Sequence, residues 1–296
     1  VKYKYIVDSG FSGAVNSYLR VRHNYSSRVA TSVRKGGRLF LNGKKARFID
    51  KCCPGDTILV YMPDEEPNCS ASDGLVSVVY EDDDVIVLDK AAGMIVHPTK
   101  SHQGDTLANA IQGHWLETGH VGAIRFVNRI DRDTSGIVVG AKNKYVHHFI
   151  QSQFDLPGTT KKYLAVAKGR PPQKTGRIDA PIGMEAGSPR REVQEGAKES
   201  VTEYSTIEEL GGYTLLELEL LSGRTHQIRV HLAHIGCPVA GDDFYGDGIH
   251  PPFARLALHA WQIGFVHPRT KEHVVYTCPL AADLQEAIET LRAGKG

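Results

Sequence analysis

The chain has no run approaching the roughly 20 consecutive apolar residues that a membrane-crossing helix requires. Lys2, Lys4 and Asp8 interrupt its first residues, where a signal peptide would have a continuous apolar core, so the expectation is a cytoplasmic protein with no membrane association. Its five cysteines, Cys52, Cys53, Cys69, Cys237 and Cys278, include no Cys-x-x-Cys pair, and an odd number cannot close a full disulfide framework. They read as reduced, mostly structural thiols. The 14 histidines come nearest to a cluster at His226, His231 and His234. On a helix His226 and His234 would stand ~12 Å apart, too far to share one ion without other ligands, and no metal site is expected. Net charge is nearly absent as well: 35 Lys and Arg against 34 Asp and Glu leave +1, which alone says nothing for a polyanionic partner.

What is present is a globular balance, 41% hydrophobic and 23% charged over 296 residues, enough for a substantial core and two domains. The charge is unevenly spread. Residues 1 to 60 hold 12 Lys and Arg against Asp8, Asp50 and Asp56, a balance of +9, which leaves −8 for the rest of a chain whose total is +1. A basic N-terminal module has been joined to a mildly acidic body.

Within that module Phe11, Val15, Leu19 and Val21 have loosely helical spacing over residues 11 to 24. Ser26 or Ser27 is placed to cap a second helix, Arg28 to Lys35, which Gly36-Gly37 ends. Asn42-Gly43, between residues 39 to 41 and 44 to 48, is a strong hairpin signal, and Pro54-Gly55-Asp56 turns the chain into a strand over 57 to 62. Residues 67 to 74 are polar, without apolar periodicity, and read as a linker.

Beyond the linker, residues 76 to 80 and 85 to 88 read as a hairpin across Glu81-Asp82-Asp83-Asp84, and 106 to 116 as a helix capped by Asp105 or Thr106. Next comes Asn128-Arg129-Ile130-Asp131-Arg132-Asp133-Thr134-Ser135-Gly136, between apolar runs at 121 to 127 and 137 to 139. Two strands are expected to bracket a polar turn that presents these charges to a ligand, with Ser135 and Gly136 making the turn tight. By residue type alone a solvated charged turn accounts for it. A helix over 144 to 154, a break at Pro157-Gly158 and a strand over 161 to 167 carrying Tyr163 follow. Residues 171 to 198 read as hairpin and loop, and 201 to 210 with 213 to 221 as an antiparallel pair around Gly211-Gly212. In Ser222-Gly223-Arg224-Thr225-His226-Gln227-Ile228-Arg229-Val230-His231, Gly223 closes a strand and the polar residues open a helix to about His234, whose free N–H groups favour anions. Strands at 261 to 266 and 273 to 276 and a helix over 280 to 291 complete the chain.

The Asp131 run, the Lys161-Lys162-Tyr163 strand and the Arg224 to His231 stretch, in that order, resemble the three signatures of the RluA-type pseudouridine synthases. Lys90 to Pro98 also resembles that family's lead-in, with Ala91 in place of a proline. The resemblance covers about residues 75 to 280. It implies isomerisation of a specific uridine in structured RNA, rRNA or tRNA, without a cofactor. Asp131 is then the carboxylate beside ribose C1′, Arg229 its cationic partner, and Tyr163 the aromatic group on the base that helps remove its C5 proton. Arg129 fills the stack vacated by the extruded nucleotide, and Arg224, His226 and Gln227 are further candidates for RNA contact. Asn128 stands where many relatives have histidine, and Ile130 replaces the commoner leucine.

Residues 1 to 66 resemble the αL-type RNA-binding domain that many such enzymes carry. Its helix and hairpin surface make Arg28, Arg34, Lys35, Lys44 and Lys45 the candidates for RNA backbone contact. The expected fold is therefore α+β. A small helix-plus-hairpin domain (1 to 66) and a linker (67 to 74) precede a catalytic domain (75 to 296) whose largely antiparallel mixed sheet is flanked by helices, in a monomer. Two other functions compete: a carboxylate-dependent nucleosidase using Asp131 with Asp133, and a catalytically silent RNA-binding or ribosome-assembly factor.

Overall fold

Alternating lysine and tyrosine in the first strand, Lys2–Ile6, put Tyr3 and Tyr5 on a buried face and the lysines in solvent. No strand is expected there from the sequence, because its buried positions are tyrosines set between charges. It pairs with Thr57–Tyr61, which pairs with Arg38–Leu41, and Lys44–Lys45 forms the opposite edge of this four-stranded sheet. Asn42 and Gly43 join the last two with φ of 49° and 78°, the positive pair that a tight hairpin needs. The helices Val15–His23 and Ser27–Gly36 lie close to their expected places, and the Ser26 hydroxyl caps the second by accepting the Val29 N–H at 3.2 Å. The structure, a computed structural model, describes residues 1–294 apart from Asp155 and Pro157. The expected Pro157-Gly158 break thus lies in part outside the described residues.

A ten-stranded sheet forms the body. Its main path runs Thr175–Asp179, Val201–Glu209, Tyr213–Leu220, Thr160–Lys168, Leu258–Val266, Ser135–Ala141, Val85–Lys90, Ser77–Glu81. Neighbours pair antiparallel except Ser135–Ala141 with Leu258–Val266, so the fold is the mixed, largely antiparallel α+β arrangement expected. The helices Leu107–Thr118, Lys144–Gln151, Gln227–His234 and Ala282–Ala293 accompany it.

Two local expectations need correcting. Of the apolar run at 121 to 127, only Arg125–Phe126 is a strand. Ser135 and Gly136 form no surface turn; they open a buried strand, and Gly136 has φ of +109° with a Cβ position only 2.2 Å from the Ala260 carbonyl oxygen. Glycine is required there by the approach of the neighbouring strand, not by a reversal of the chain.

Strand Val85–Lys90 is buried on both faces. Val85 and Val87 pack with Ile137 and Val139 against the N-terminal unit, while Ile86 and Leu88 pack with Val138 against Ile111 and Trp115 of the helix Leu107–Thr118. The N-terminal unit therefore shares a core with the sheet. A polar knot fixes the junction. Tyr3 Oη donates to Asp84 Oδ1 at 2.6 Å, Arg269 Nε and Nη2 donate to the same carboxylate at 2.8 and 2.9 Å, and Asn143 Nδ2 donates to Tyr3 Oη at 3.0 Å. The Tyr25 ring stacks on Tyr145 at 4.4 Å between centroids. The segment expected as a linker is itself held down: Asn68 exchanges hydrogen bonds with the Ile124 backbone at 2.9 and 3.1 Å, and Asn109 Nδ2 donates to the Ser70 carbonyl at 2.7 Å.

Asp84 is fully buried, so its removal strands two donors. Asp84→Ala is expected to cost about 2–4 kcal/mol in urea denaturation and to split the thermal transition as the N-terminal unit loosens. One transition with an unmoved midpoint would show that the knot contributes little.

Candidate active site

The loop that carries Asp131 is held by its backbone. Asn128 stands in for a missing ladder partner: its Nδ2 donates to the Ile137 carbonyl at 3.0 Å and its Oδ1 accepts the Val139 N–H at 2.8 Å. The Arg132 carbonyl accepts from Lys90 Nζ at 2.9 Å and from the Gly93 N–H at 2.8 Å. Arg255 Nη1 donates to the Asp133 carbonyl at 3.2 Å and Nη2 to Ser135 Oγ at 3.1 Å, and bonds to Asp283 and to the Leu256 carbonyl anchor it. Each hold uses main chain or a side chain next to Asp131, which leaves the Asp131 carboxylate turned into a cavity of about 630 Å³. Asp133 turns the other way and pairs with the half-exposed Arg132 at 3.0 Å. Asp131 is the one carboxylate among the described residues lining the cavity.

Arg229 reaches the same cavity from the helix Gln227–His234, 98 residues away in sequence. Its Nη1 donates to Asp131 Oδ2 at 3.1 Å. Its Nε and Nη2 donate to the two oxygens of Asp242, both at 2.8 Å, a bidentate pair on a fully buried carboxylate. Asp242 also accepts the N–H groups of Phe244 and Tyr245 at 2.8 and 3.1 Å. Burial acts against ionisation of Asp242, but the Arg229 hydrogen bond and charge and those N–H groups outweigh it and hold the carboxyl below its ordinary range. Burial likewise opposes the Arg229 charge, and its two carboxylates overcome that and keep it protonated. One cation serves two anions, so the trio carries a net negative charge, and the half-exposed Asp131 is the member that meets the cavity.

His226 precedes this helix in a left-handed conformation, φ 57°. Its Nδ1 lies 2.9 Å from Tyr245 Oη, which already accepts the Arg191 N–H at 2.8 Å. In the neutral imidazole whose Nδ1 accepts from the Tyr245 hydroxyl, Nε2 carries the proton, 3.8 Å from Asp131 Oδ2. Burial pushes the His226 pKa down despite the nearby Asp131 charge, which favours this neutral form.

Tyr163 enters through sheet register. It pairs with Ala260, as does Gly136 on the other side, so the three lie in one row across adjacent strands. The register shifts between Lys162 and Tyr163, where Trp261 of the neighbouring strand is skipped, and Tyr163 lines the cavity. Burial first, and the Asp131 charge second, raise the phenol well above its ordinary pKa, so it keeps its proton at neutral pH.

The cavity thus brings together Asp131, Tyr163, Arg229, Arg129, Arg224 and His226. Arg129 is exposed at the rim, with no hydrogen-bond partner among the described residues. Gln227 also lines the cavity, but its side-chain amide is committed to other partners. It is 2% exposed, and all four of its hydrogen-bonding positions are taken, by Ser222 Oγ and the Arg224 N–H on the oxygen and by the Val201 carbonyl and Thr202 Oγ on the nitrogen. It ties the helix start to the neighbouring strand and has nothing left for a ligand. Of the N-terminal candidates, Arg28 and Lys35 line a second cleft, Arg34 lies over the Phe48 ring at 4.8 Å, and Lys44 and Lys45 are exposed on their edge strand. Asp242 was given no chemistry from the sequence. Nothing in Gly241-Asp242-Asp243 tells which aspartate turns inward; the signal is the long-range approach that sets Gly241 at φ +72° with its Cβ position 2.1 Å from the Arg255 carbonyl oxygen.

The chain is similar to known proteins over most of its length. The profile of the family described as RNA pseudouridylate synthase matches residues 84–234. The chain is 40% identical over 263 residues to an RNA pseudouridine synthase of Bacillus subtilis (strain 168), YlyB, covering 87% of each protein. It is 34% identical over 273 residues to ribosomal large subunit pseudouridine synthase D of Xanthomonas campestris, covering 87% of this chain and 82% of that one. Among solved structures it is similar to human RNA pseudouridylate synthase domain containing 4, with a TM-score of 0.60 and 26% identity over 73% of this chain and 93% of that one. The chain therefore belongs to the RNA pseudouridine synthase family, enzymes that isomerise uridine in RNA.

Proposed function

We propose that this enzyme acts on a uridine of large-subunit ribosomal RNA, flipped out of its stack into the cavity, and that Asp131 carries the reaction at its C1′. The observation that carries this reading is the Arg229 guanidinium shared between Asp131 and Asp242 in the cavity that Tyr163 lines. The relatives named for the ribosomal large subunit favour that RNA over tRNA.

The reaction breaks the bond from base N1 to C1′, turns the uracil and joins C5 to C1′. The C5 proton leaves and N1 takes one up, so the net composition is unchanged and no redox agent is required. As the glycosidic bond breaks, C1′ becomes electron-poor, and an ionised carboxylate beside it stabilises, attacks or deprotonates the sugar. Arg229 donates to Asp131 at 3.1 Å while Asp242 fixes where Arg229 points. A two-carboxylate nucleosidase lacks support here, since Asp133 faces away and Asp242 is sequestered. Tyr163, protonated at rest, covers the base; as it takes the proton from C5 its own phenolic proton goes to solvent, from which N1 is protonated. Arg129, which lines the cavity, fills the vacated stack, against an extrusion cost of about a few kcal/mol.

Four outcomes test this on large-subunit ribosomal RNA transcribed in vitro, which carries no modification, with transfer RNA transcripts alongside. Asp131→Asn is expected to reduce single-turnover pseudouridine formation by at least about 10³-fold, without release of free uracil and with RNA affinity little changed. Free uracil from the wild type would establish a nucleosidase instead, and product on transfer RNA alone would move the substrate. Asp242→Asn is expected to lower the rate by about 10²-fold at unaltered half-saturation, because a displaced Arg229 misplaces Asp131. Tyr163→Phe is expected to lose about 10²-fold or more while binding RNA normally. An unaltered rate in either variant would remove that residue from the scheme. The fourth outcome concerns pH. Burial pushes the Lys90 ammonium down to about 8 despite the nearby Asp133 charge, and the neutral amine has only two N–H groups for the carbonyls of Ala91, Met94 and Arg132. The single-turnover rate should decline above about pH 8, and Lys90→Met should give a lower rate without that alkaline limb; a limb unchanged in Lys90→Met would assign it elsewhere.

A further inference from the structure

Thr134 follows Asp131 in the same loop and lines the same cavity, although it is only 1% exposed. Its N–H donates to the Asp131 carbonyl at 3.2 Å, which closes the turn between them. Its Oγ1, buried, has no hydrogen-bond partner among the described residues. A buried hydroxyl left unpaired destabilises a fold, and most buried polar groups are paired. The other hydroxyls lining the cavity are placed differently. Thr99 and Thr225 are exposed, with Thr99 Oγ1 3.4 Å from Ser101 Oγ, and Tyr163 covers the base.

Little freedom is left for this hydroxyl to find a partner elsewhere in the protein. One guanidinium pins the residues on either side of it: Arg255 donates to the Asp133 carbonyl at 3.2 Å and to Ser135 Oγ at 3.1 Å, and Ser135 Oγ lies 2.9 Å from His259 Nδ1. The β-branch of threonine restricts its side chain further. Valine, with the same shape, would fill the place without an unpaired polar atom. The substrate offers two kinds of partner. The uracil edge carries O2, N3–H and O4, but the base turns during the reaction, so a hydrogen bond to that edge would have to break. The ribose 2′-hydroxyl is two bonds from C1′, the carbon set against Asp131, and keeps its place throughout. It is both donor and acceptor, as Thr134 Oγ1 is.

We propose that Thr134 Oγ1 hydrogen-bonds the 2′-hydroxyl of the target nucleotide, so that this side chain selects ribose over deoxyribose at the reacting position and holds C1′ against Asp131. This rests on the function proposed above. The free protein then carries an unpaired hydroxyl that only the substrate satisfies, a stability cost kept at a functional site.

The target uridine is first located by mapping pseudouridine in enzyme-treated transcripts of large-subunit ribosomal RNA, and that position is then rebuilt by ligation with uridine or with 2′-deoxyuridine. In single turnover at saturating enzyme, the wild type is expected to isomerise the deoxyuridine target about 30-fold more slowly than the uridine target. Thr134→Val is expected to slow the uridine target about 30-fold while its rate on deoxyuridine stays within about twofold of the wild type, which brings the ratio of the two targets to about 1. Thr134→Ala should lose the ratio in the same way, and Thr134→Ser should restore most of it. The thermal midpoint of Thr134→Val without RNA should hold or rise, because the hydroxyl removed has no partner in the free protein. Equal losses on the two targets would show a structural hydroxyl and overturn the proposal, as would an unaltered rate on uridine. A deoxyuridine target that neither protein isomerises would overturn it too, since one missing hydrogen bond slows a reaction without stopping it. A wild type that forms no pseudouridine on unsubstituted RNA would instead overturn the functional reading.

Discussion

A single guanidinium with two carboxylates organises this protein. Arg229 gives two of its nitrogens to Asp242, which is fully buried and further held by two main-chain N–H groups, and offers a third to Asp131. The bidentate bond fixes the plane of the guanidinium, and that plane fixes the direction of the remaining donor. A buried charge pair of this kind adds little net stability, because desolvation offsets most of the attraction. Its value is orientation. It also leaves the trio of Arg229, Asp131 and Asp242 with one more negative charge than positive, and Asp131 is the member that faces the cavity.

The rest of the site keeps Asp131 available by holding everything around it. Lys90, Arg255 and Asn128 bind main-chain groups or a neighbouring hydroxyl of the same loop, and none of them touches the Asp131 carboxylate. The loop thus has the rigidity of an ordered element without its regular hydrogen bonds. Asn128 shows the economy of the arrangement. An amide carries one donor and one acceptor in the spacing of a peptide group, so it extends the ladder of the strand Ser135–Ala141 where the chain itself turns away.

Much of this was legible locally. The Asn42-Gly43 hairpin, the Ser26-capped helix, the Gly211-Gly212 pair and the closing helix are set by turn chemistry, capping and periodicity, which act within a few residues. The residues that gather in the cavity were legible for another reason: their motifs resemble those of a family. What failed to show was whatever depends on distant partners. Lys2–Ile6 became a strand because Thr57–Tyr61 and a tyrosine-lined core receive it, and Ser135-Gly136 became strand because Leu258–Val266 lies alongside. Asp84 had looked like one acidic residue among several in a turn and is the centre of the junction.

The sequence by itself determined the local elements, the polar loop between two sheet segments and the excess of positive charge in the first 60 residues, because each follows from short-range geometry or simple counting. Only the tertiary structure decided that Asp131 and not Asp133 faces inward, that Asp242 orients Arg229, and that Gln227 is used up inside. These outcomes rest on contacts between residues 13 to 98 positions apart, some of them carried by single side chains, and no pattern of neighbouring residues encodes which of two adjacent aspartates will find its arginine.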